Sequence, residues 1–167
     1  MEKSKLHRAK FVVKDDYNTP QDAWECIMSY IAKDTKIWCP FYNDGECKTI
    51  LNNMGYNDVY HENRDFWEYD LNDRVIIDNP PYNYKKQIIK LLFSKKKPFM
   101  LLLPLPCLGY QYILKEHTDK LQVIIPPNRY QMIKGLKGGA PQHICWFCWN
   151  CQDILGTNDN MIFSKNK

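Results

Sequence analysis

Asp78-Asn79-Pro80-Pro81-Tyr82 are the residues of this 167-residue chain whose types and spacing best suit chemistry. They end an apolar run, Val75-Ile76-Ile77, whose β-branched side chains predict a short strand buried on both faces. Two successive prolines remove two backbone donors and fix both φ angles, so the strand stops there in a stiff corner. An asparagine in that corner, at the carboxyl end of a parallel strand, stands at the edge where open α/β sheets bind ligands. Its side-chain oxygen accepts hydrogen bonds, and so does the Pro80 carbonyl. Two acceptors converging on one point suit a primary amine or an amide NH2, and Tyr82 offers a ring face to a flat substrate. The alternative is a Pro-Pro turn that only ends a strand.

Such a corner needs a sheet to hold it, and the chain alternates strand and helix signals. Tyr17-Asn18-Thr19-Pro20 leads into 21–31, where Trp24, Ile27, Met28 and Ile31 recur at helical spacing. Thr19 is the expected N-cap and Pro20 the first helical residue. Ile37-Trp38-Cys39 predicts a strand that runs into Pro40-Phe41-Tyr42-Asn43-Asp44-Gly45, followed by a helix over 46–53 that Gly55 closes. Strand, Gly-bearing turn and helix form the first half of a nucleotide-binding βαβ unit, although no Gly-x-Gly-x-x-Gly is present. The next strand, Asp58-Val59-Tyr60-His61, ends at Glu62, close to the roughly 20-residue spacing at which such units carry an acid. His61 reads as a packing or surface residue.

Beyond the corner, a helix over 84–94 turns Ile88, Ile89, Leu91 and Leu92 inward and Lys85, Lys86 and Lys90 outward, with Lys95-Lys96-Lys97 behind it. Those lysines are either a solvated face or a phosphate-contacting edge. Strands follow at 98–103 and 121–125, each stopped by prolines, with a helix over 110–116 between them. Asn128-Arg129-Tyr130 then falls on a loop at the same sheet edge, which makes Arg129 and Tyr130 candidates to meet a substrate. The basic, glycine-rich stretch 134–141 lacks the Lys-Ser/Thr pair of a P-loop. A last strand is expected over 144–150. Cys145 and Cys148 there point to opposite faces, which argues against a shared zinc site, and no metal is expected. The alternation predicts an α/β, doubly wound, mostly parallel sheet, with 1–16 a polar arm and 17–167 a single domain.

Composition is that of a globular protein with a proper core, at 44% hydrophobic and 25% charged residues. Eleven Tyr, seven Phe and five Trp fill a core and also suit base stacking. No apolar run approaches the roughly 20 residues that span a bilayer, and Met1-Glu2-Lys3-Ser4-Lys5 does not open a signal peptide. An intracellular, reducing location is expected, with the seven cysteines as free thiols. A net charge of +4 is compatible with a polyanionic partner and equally with surplus surface lysines.

Asn79-Pro80-Pro81-Tyr82 resembles the Asn-Pro-Pro-Tyr motif of amino-methyltransferases. These S-adenosylmethionine-dependent enzymes methylate the exocyclic nitrogen of adenine and, less often, a glutamine amide. Tyr17-x-Thr19-Pro20 resembles the aromatic-x-Thr-Pro turn that opens phage-type adenine methyltransferases. Pro40-Phe41-Tyr42-x-Asp44-Gly45 is similar to the family's Asp-Pro-Phe-x-Gly-x-Gly loop, with Cys39 in place of the acid and one glycine kept. Glu62 stands where the family's acid takes the ribose hydroxyls, and Asp65-Phe66 where a pair grips the cofactor adenine. With Leu101-Leu102-Leu103-Pro104, the ordered set covers most of the chain and is most similar to phage- or virus-type DNA adenine-N6 methyltransferases.

The resemblance implies a Rossmann-like methyltransferase fold without a separate target-recognition domain, and S-adenosylmethionine as cofactor. It implies catalytic roles for Asn79, Pro80, Pro81 and Tyr82. Cofactor contacts would come from Tyr17, Thr19 and Pro20, from Pro40, Phe41, Tyr42, Asp44 and Gly45, and from Glu62, Asp65, Phe66 and Asn79. Tyr82, Lys85, Lys86, Arg129 and Tyr130 would meet the substrate. The implied partner is nucleic acid, DNA ahead of RNA, with a further protein or a second copy of the chain supplying selectivity. The alternatives are methylation of RNA adenine or protein glutamine, and a non-catalytic nucleic-acid-binding subunit.

Overall fold

The computed structural model describes residues 17–115, 118–132 and 142–165. The expected arm 1–16, the glycine-rich stretch 134–141 and residue 116 at the end of the predicted 110–116 helix lie outside the described residues.

The first helix, α1 (Gln21–Met28), buries Ala23, Trp24, Ile27 and Met28. It begins one residue later than the sequence predicts. Pro20 is extended (φ −71°, ψ 159°) and itself occupies the N-cap, with no side-chain hydrogen bond capping the turn. The Pro20 carbonyl instead accepts from the N–H groups of Ala23 and Trp24 at 3.1 and 3.3 Å. Then come β1 (Ile37–Trp38), α2 (Cys47–Asn53) and β2 (Val59–Tyr60). Next are β3 (Val75–Asp78), a 3₁₀ turn over Tyr82–Tyr84 and α3 (Lys85–Ser94). After β4 (Phe99–Pro104) comes a 3₁₀ stretch over Leu105–Gly109, and then α4 (Gln111–Leu114) within the expected 110–116 helix. The chain continues through β5 (Leu121–Ile125) and β6 (Ile144–Trp149). It ends with two elements that carry no strong sequence signal, α5 (Gln152–Leu155) and β7 (Met161–Phe163). As an edge strand β7 has little to bury, and Phe163 is 70% exposed.

The seven strands among the described residues form one sheet in the order β2-β1-β3-β4-β6-β5-β7. Four of its pairings are parallel, and β6 alone runs antiparallel, to both β4 and β5. The architecture is therefore α/β with a mostly parallel sheet. The central strands β3, β4 and β6 are apolar on both faces, as a sheet covered on both sides demands. One core joins α1, Leu51 of α2 and Leu155 of α5 to Ile77, Met100, Leu102, Trp146 and Cys148. The other joins Ile88, Ile89 and Leu92 of α3 to Ile76, Leu101, Leu103, Cys145 and Phe147. Cys145 and Cys148 thus enter different cores. All seven cysteines are free thiols. Trp146 anchors α1, its ring 5.6 Å from Trp24 and its indole N–H donating to the Ala23 carbonyl at 3.0 Å. Among the described residues no helix is long and apolar enough to cross a membrane.

Candidate functional site

From β1 the chain moves outward to β2, whereas β3 lies on the other side of β1 and leads on to β4. The loops leaving β1 and β3 therefore diverge, and this reversal of strand order is where open α/β sheets form ligand crevices. The Asn79 corner and the 39–46 loop flank that point.

Asp78 joins them. Its Oδ2 accepts from the Phe41 N–H at 2.7 Å and its Oδ1 from the Asn79 N–H at 2.8 Å. The side chain is 3% exposed, and burial pushes its pKa up to about 8 against those two donors, which favour the charged form. Sequence reasoning gave Asp78 no role of its own. The available signal was an acid closing an otherwise apolar strand, a position that folding tolerates only with partners. Cys39 is buried in the same junction and donates to the Ile77 carbonyl at 3.2 Å. Burial raises its thiol pKa well above the ordinary value, so it stays neutral and supplies no charge in place of an acid.

At the corner, the Asn79 amide is oriented. Its Nδ2 donates to the Tyr17 carbonyl at 2.9 Å, while its Oδ1 is buried without a hydrogen-bond partner among the described residues. The Tyr17 ring stacks on Tyr82, with centroids 5.5 Å apart and planes inclined by 28°. Tyr82 itself packs against both cores. Asn43, also unassigned from the sequence, donates to the Asn18 side-chain oxygen at 2.9 Å and to the Tyr17 carbonyl at 3.4 Å. Tyr17 thus ties the β1 loop, the β3 corner and the start of the described chain together. Pro80 and Pro81 are buried beneath it, while Thr19 and Pro20 are half-buried.

The β1 loop is held internally. Pro40 and Phe41 are buried. Tyr42 lies against the His61 ring, 5.0 Å away and 18° from parallel. It also folds over Gly45, where φ is +79° and an added Cβ would stand 2.8 Å from the Tyr42 hydroxyl. The positive φ favours glycine there, and a side chain would also have to push the Tyr42 ring aside. Asp44 is exposed and accepts from the Glu46 N–H at 3.1 Å. The buried His61 ring binds the Cys39 carbonyl through Nδ1 at 2.8 Å.

Beyond β2, Glu62 Oε2 accepts from the Tyr60 hydroxyl and from Arg64 Nε, both at 2.9 Å. The Tyr60 hydrogen bond, followed by Arg64, lowers its pKa. Asp65 accepts from the Trp67 N–H at 2.9 Å, and buried Phe66 packs 5.0 Å from Phe41 and 6.1 Å from Trp38. On the other side, Lys85 Nζ donates to the Tyr82 carbonyl at 3.0 Å, and Lys86 is exposed.

The structure corrects the expectation for Tyr130. Residues 129–132 alternate, with Arg129 and Gln131 exposed and Tyr130 and Met132 buried. Tyr130 is 3% exposed in the core beneath α1, so only Arg129 of that pair faces solvent. Burial thus separates the two side chains, Tyr130 into the core and Arg129 to solvent. Compared with family models, curated proteins and solved structures, the chain matches none.

Proposed function

We propose that this chain is a Rossmann-like methyltransferase that transfers a methyl group from S-adenosylmethionine to the exocyclic N6 of adenine in DNA. One observation carries the reading: a buried asparagine oxygen without a partner among the described residues, on an oriented amide, beside an aromatic ring at the strand-order reversal. A buried acceptor left unpaired costs about 1–3 kcal/mol, a cost that a donor on a bound ligand would remove.

The amino nitrogen of adenine is a poor nucleophile because its lone pair is delocalised into the ring. Asn79 Oδ1 and the Pro80 carbonyl accept its two hydrogens and favour a pyramidal nitrogen with an exposed lone pair. Tyr82 stacks on the base, which has left the duplex because N6 is otherwise paired. In the present structure Tyr17 covers that ring face and its carbonyl holds Asn79, so Tyr17 is the group that yields to the base. Asp78 stiffens the corner through two backbone N–H groups. Alignment and preorganised dipoles, in place of a strong base, carry the rate.

The donor set suits the cofactor. Glu62 would take the ribose hydroxyls and Asp65-Phe66 the adenine, while the 40–45 loop and Tyr17-x-Thr19-Pro20 would take the methionine part. When bound, S-adenosylmethionine supplies the methyl carbon and keeps the C–S electron pair, so that one N6 proton passes to water. On this reading the protein acts inside a cell, and a second protein or a second copy of the chain supplies sequence selectivity.

Tyr42 folded over Gly45 favours a second reading, a non-catalytic nucleic-acid-binding subunit that has lost the cofactor. Titration calorimetry with S-adenosylmethionine separates the two. Heat of binding together with labelled methyl on adenine supports the enzyme, and the absence of both leaves the binding subunit.

A further inference from the structure

Beside Tyr82 the surface opens into a hollow of about 420 Å³ between the start of α3 and α4. It continues into a second hollow of about 560 Å³, the two sharing Lys86, Gln111 and Tyr112. We propose that this groove seats a single strand of DNA next to the target base. The identity of that base rests on the proposed function, but the groove's affinity for a strand does not.

Two observations point to the same occupant. The first is charge: Lys85, Lys86, Lys90 and Lys115 line the groove, and among the described residues no acidic side chain does. Lys85 and Lys86 occupy the first turn of α3, a helix without an acid anywhere along it. Cations at a helix N-terminus oppose the macrodipole, and Lys86 and Lys90, four residues apart on one face, repel each other, so the helix itself is not stabilised by their charge. Their summed potential suits a polyanion. The second is the aromatic lining by Tyr82, Tyr110 and Tyr112. Tyr110 is a large, partly exposed ring with its centroid 5.5 Å from that of Tyr112. Lys85 and Lys86 stand 5.9 Å from the Tyr110 and Tyr112 centroids, at the outer limit of a cation–π contact, so exposed Lys86 can swing to a phosphate at small cost, while Lys85 also donates to the Tyr82 carbonyl at 3.0 Å.

A positive groove interleaved with phenol rings is how single strands are held, because every base has a face to stack and every linkage a charge. A duplex hides its base faces and would meet only the lysines. An acidic peptide would leave the rings without a partner.

The test uses the full chain, without cofactor, and a fluorescein-labelled DNA strand of about twelve nucleotides, read by anisotropy. The strand is expected to bind at least tenfold tighter than the corresponding duplex and to weaken steeply between about 50 and 200 mM salt. Replacing Lys86 and Lys90 together by Ala should weaken binding about tenfold or more and reduce the salt slope by about 1.4, at about 0.7 per phosphate contact. Tyr110→Ala, at an exposed ring, should weaken it at least fivefold with an unchanged melting temperature. Duplex binding as tight as single-strand binding would overturn the proposal. So would variants that fold but bind unchanged, polyglutamate competing as well as DNA, or an RNA strand preferred tenfold. A strand that binds as expected while no methyl is transferred would sink the enzyme and leave the groove. Transfer that persists with strand affinity unchanged in the variants would do the reverse.

Discussion

Asn79→Ala separates function from folding at one residue. The substitution removes one donor, Nδ2 to the Tyr17 carbonyl at 2.9 Å, and one acceptor, the buried Oδ1 that has no partner among the described residues. Losing the donor costs about 1 kcal/mol, and less here because Asn43 also donates to that carbonyl at 3.4 Å. Deleting the orphaned oxygen returns a comparable desolvation penalty, about 1 kcal/mol or more. The two nearly cancel, so the variant should unfold within about 1 kcal/mol of the parent. Methyl transfer should behave differently. Removing one preorganised acceptor from a site of this kind costs about a hundred- to a thousandfold in rate. S-adenosylmethionine affinity should stay within a few-fold. The assay is single-turnover transfer of labelled methyl to adenine-containing DNA, with denaturant unfolding and titration calorimetry on the same preparation. Turnover within twofold of the parent would refute the role assigned to Asn79. A stability loss above about 3 kcal/mol would show that the amide is structural and its oxygen satisfied in solution.

Other perturbations test the supports of the site. Asp78, raised to about 8 in the fold, is ordinarily near 3.9 when unfolded, so between those values the folded form holds a proton that the unfolded form has lost. Its contribution to stability is then complete below about pH 4 and declines, by at most about 1.4 kcal/mol per unit, until about pH 8. Asp78→Asn, which cannot titrate, should therefore gain on the parent as pH rises from about 5 to 8, and a gap constant across denaturation at those pH values would reject this. Gly45→Ala forces a Cβ against Tyr42 at φ +79° and should cost about 1–3 kcal/mol, part of it recovered in the double variant with Tyr42→Ala, measured as a double-mutant cycle. Tyr17→Ala removes a ring stack worth about 0.5–1.5 kcal/mol and should lower KM for DNA a few-fold by freeing the Tyr82 face. An unchanged KM would mean that Tyr17 does not occupy the place of the base.

Much of the fold is legible in the chain because its signals are local. Val75-Ile76-Ile77 before two prolines can hardly be other than a strand and its stop, and Trp24, Ile27 and Met28 name the inner face of α1 by spacing alone. The alternation of such segments carries the α/β class. Where elements end is less legible. Pro20 rather than Thr19 caps α1, and the predicted 110–116 helix is regular only over Gln111–Leu114, because competing turns at helix ends differ by little energy. β7 is too short and too exposed to leave a pattern. The chemistry-bearing types at the corner, Asn79 and Tyr82, are also visible in one dimension.

Their partners are not. Asp78 meeting Phe41, Asn79 meeting Tyr17, and Tyr17 covering Tyr82 join positions far apart in sequence. Those meetings exist only because β1 lies between β2 and β3, bringing two loop ends to one edge. The inward turn of Tyr130 likewise follows from which side of an extended segment faces α1. Side-chain period and proline stops are properties of neighbouring residues and are written in the chain. Strand order, and with it the company each residue keeps, comes from burying both faces of one sheet at once, a decision that belongs to the whole chain.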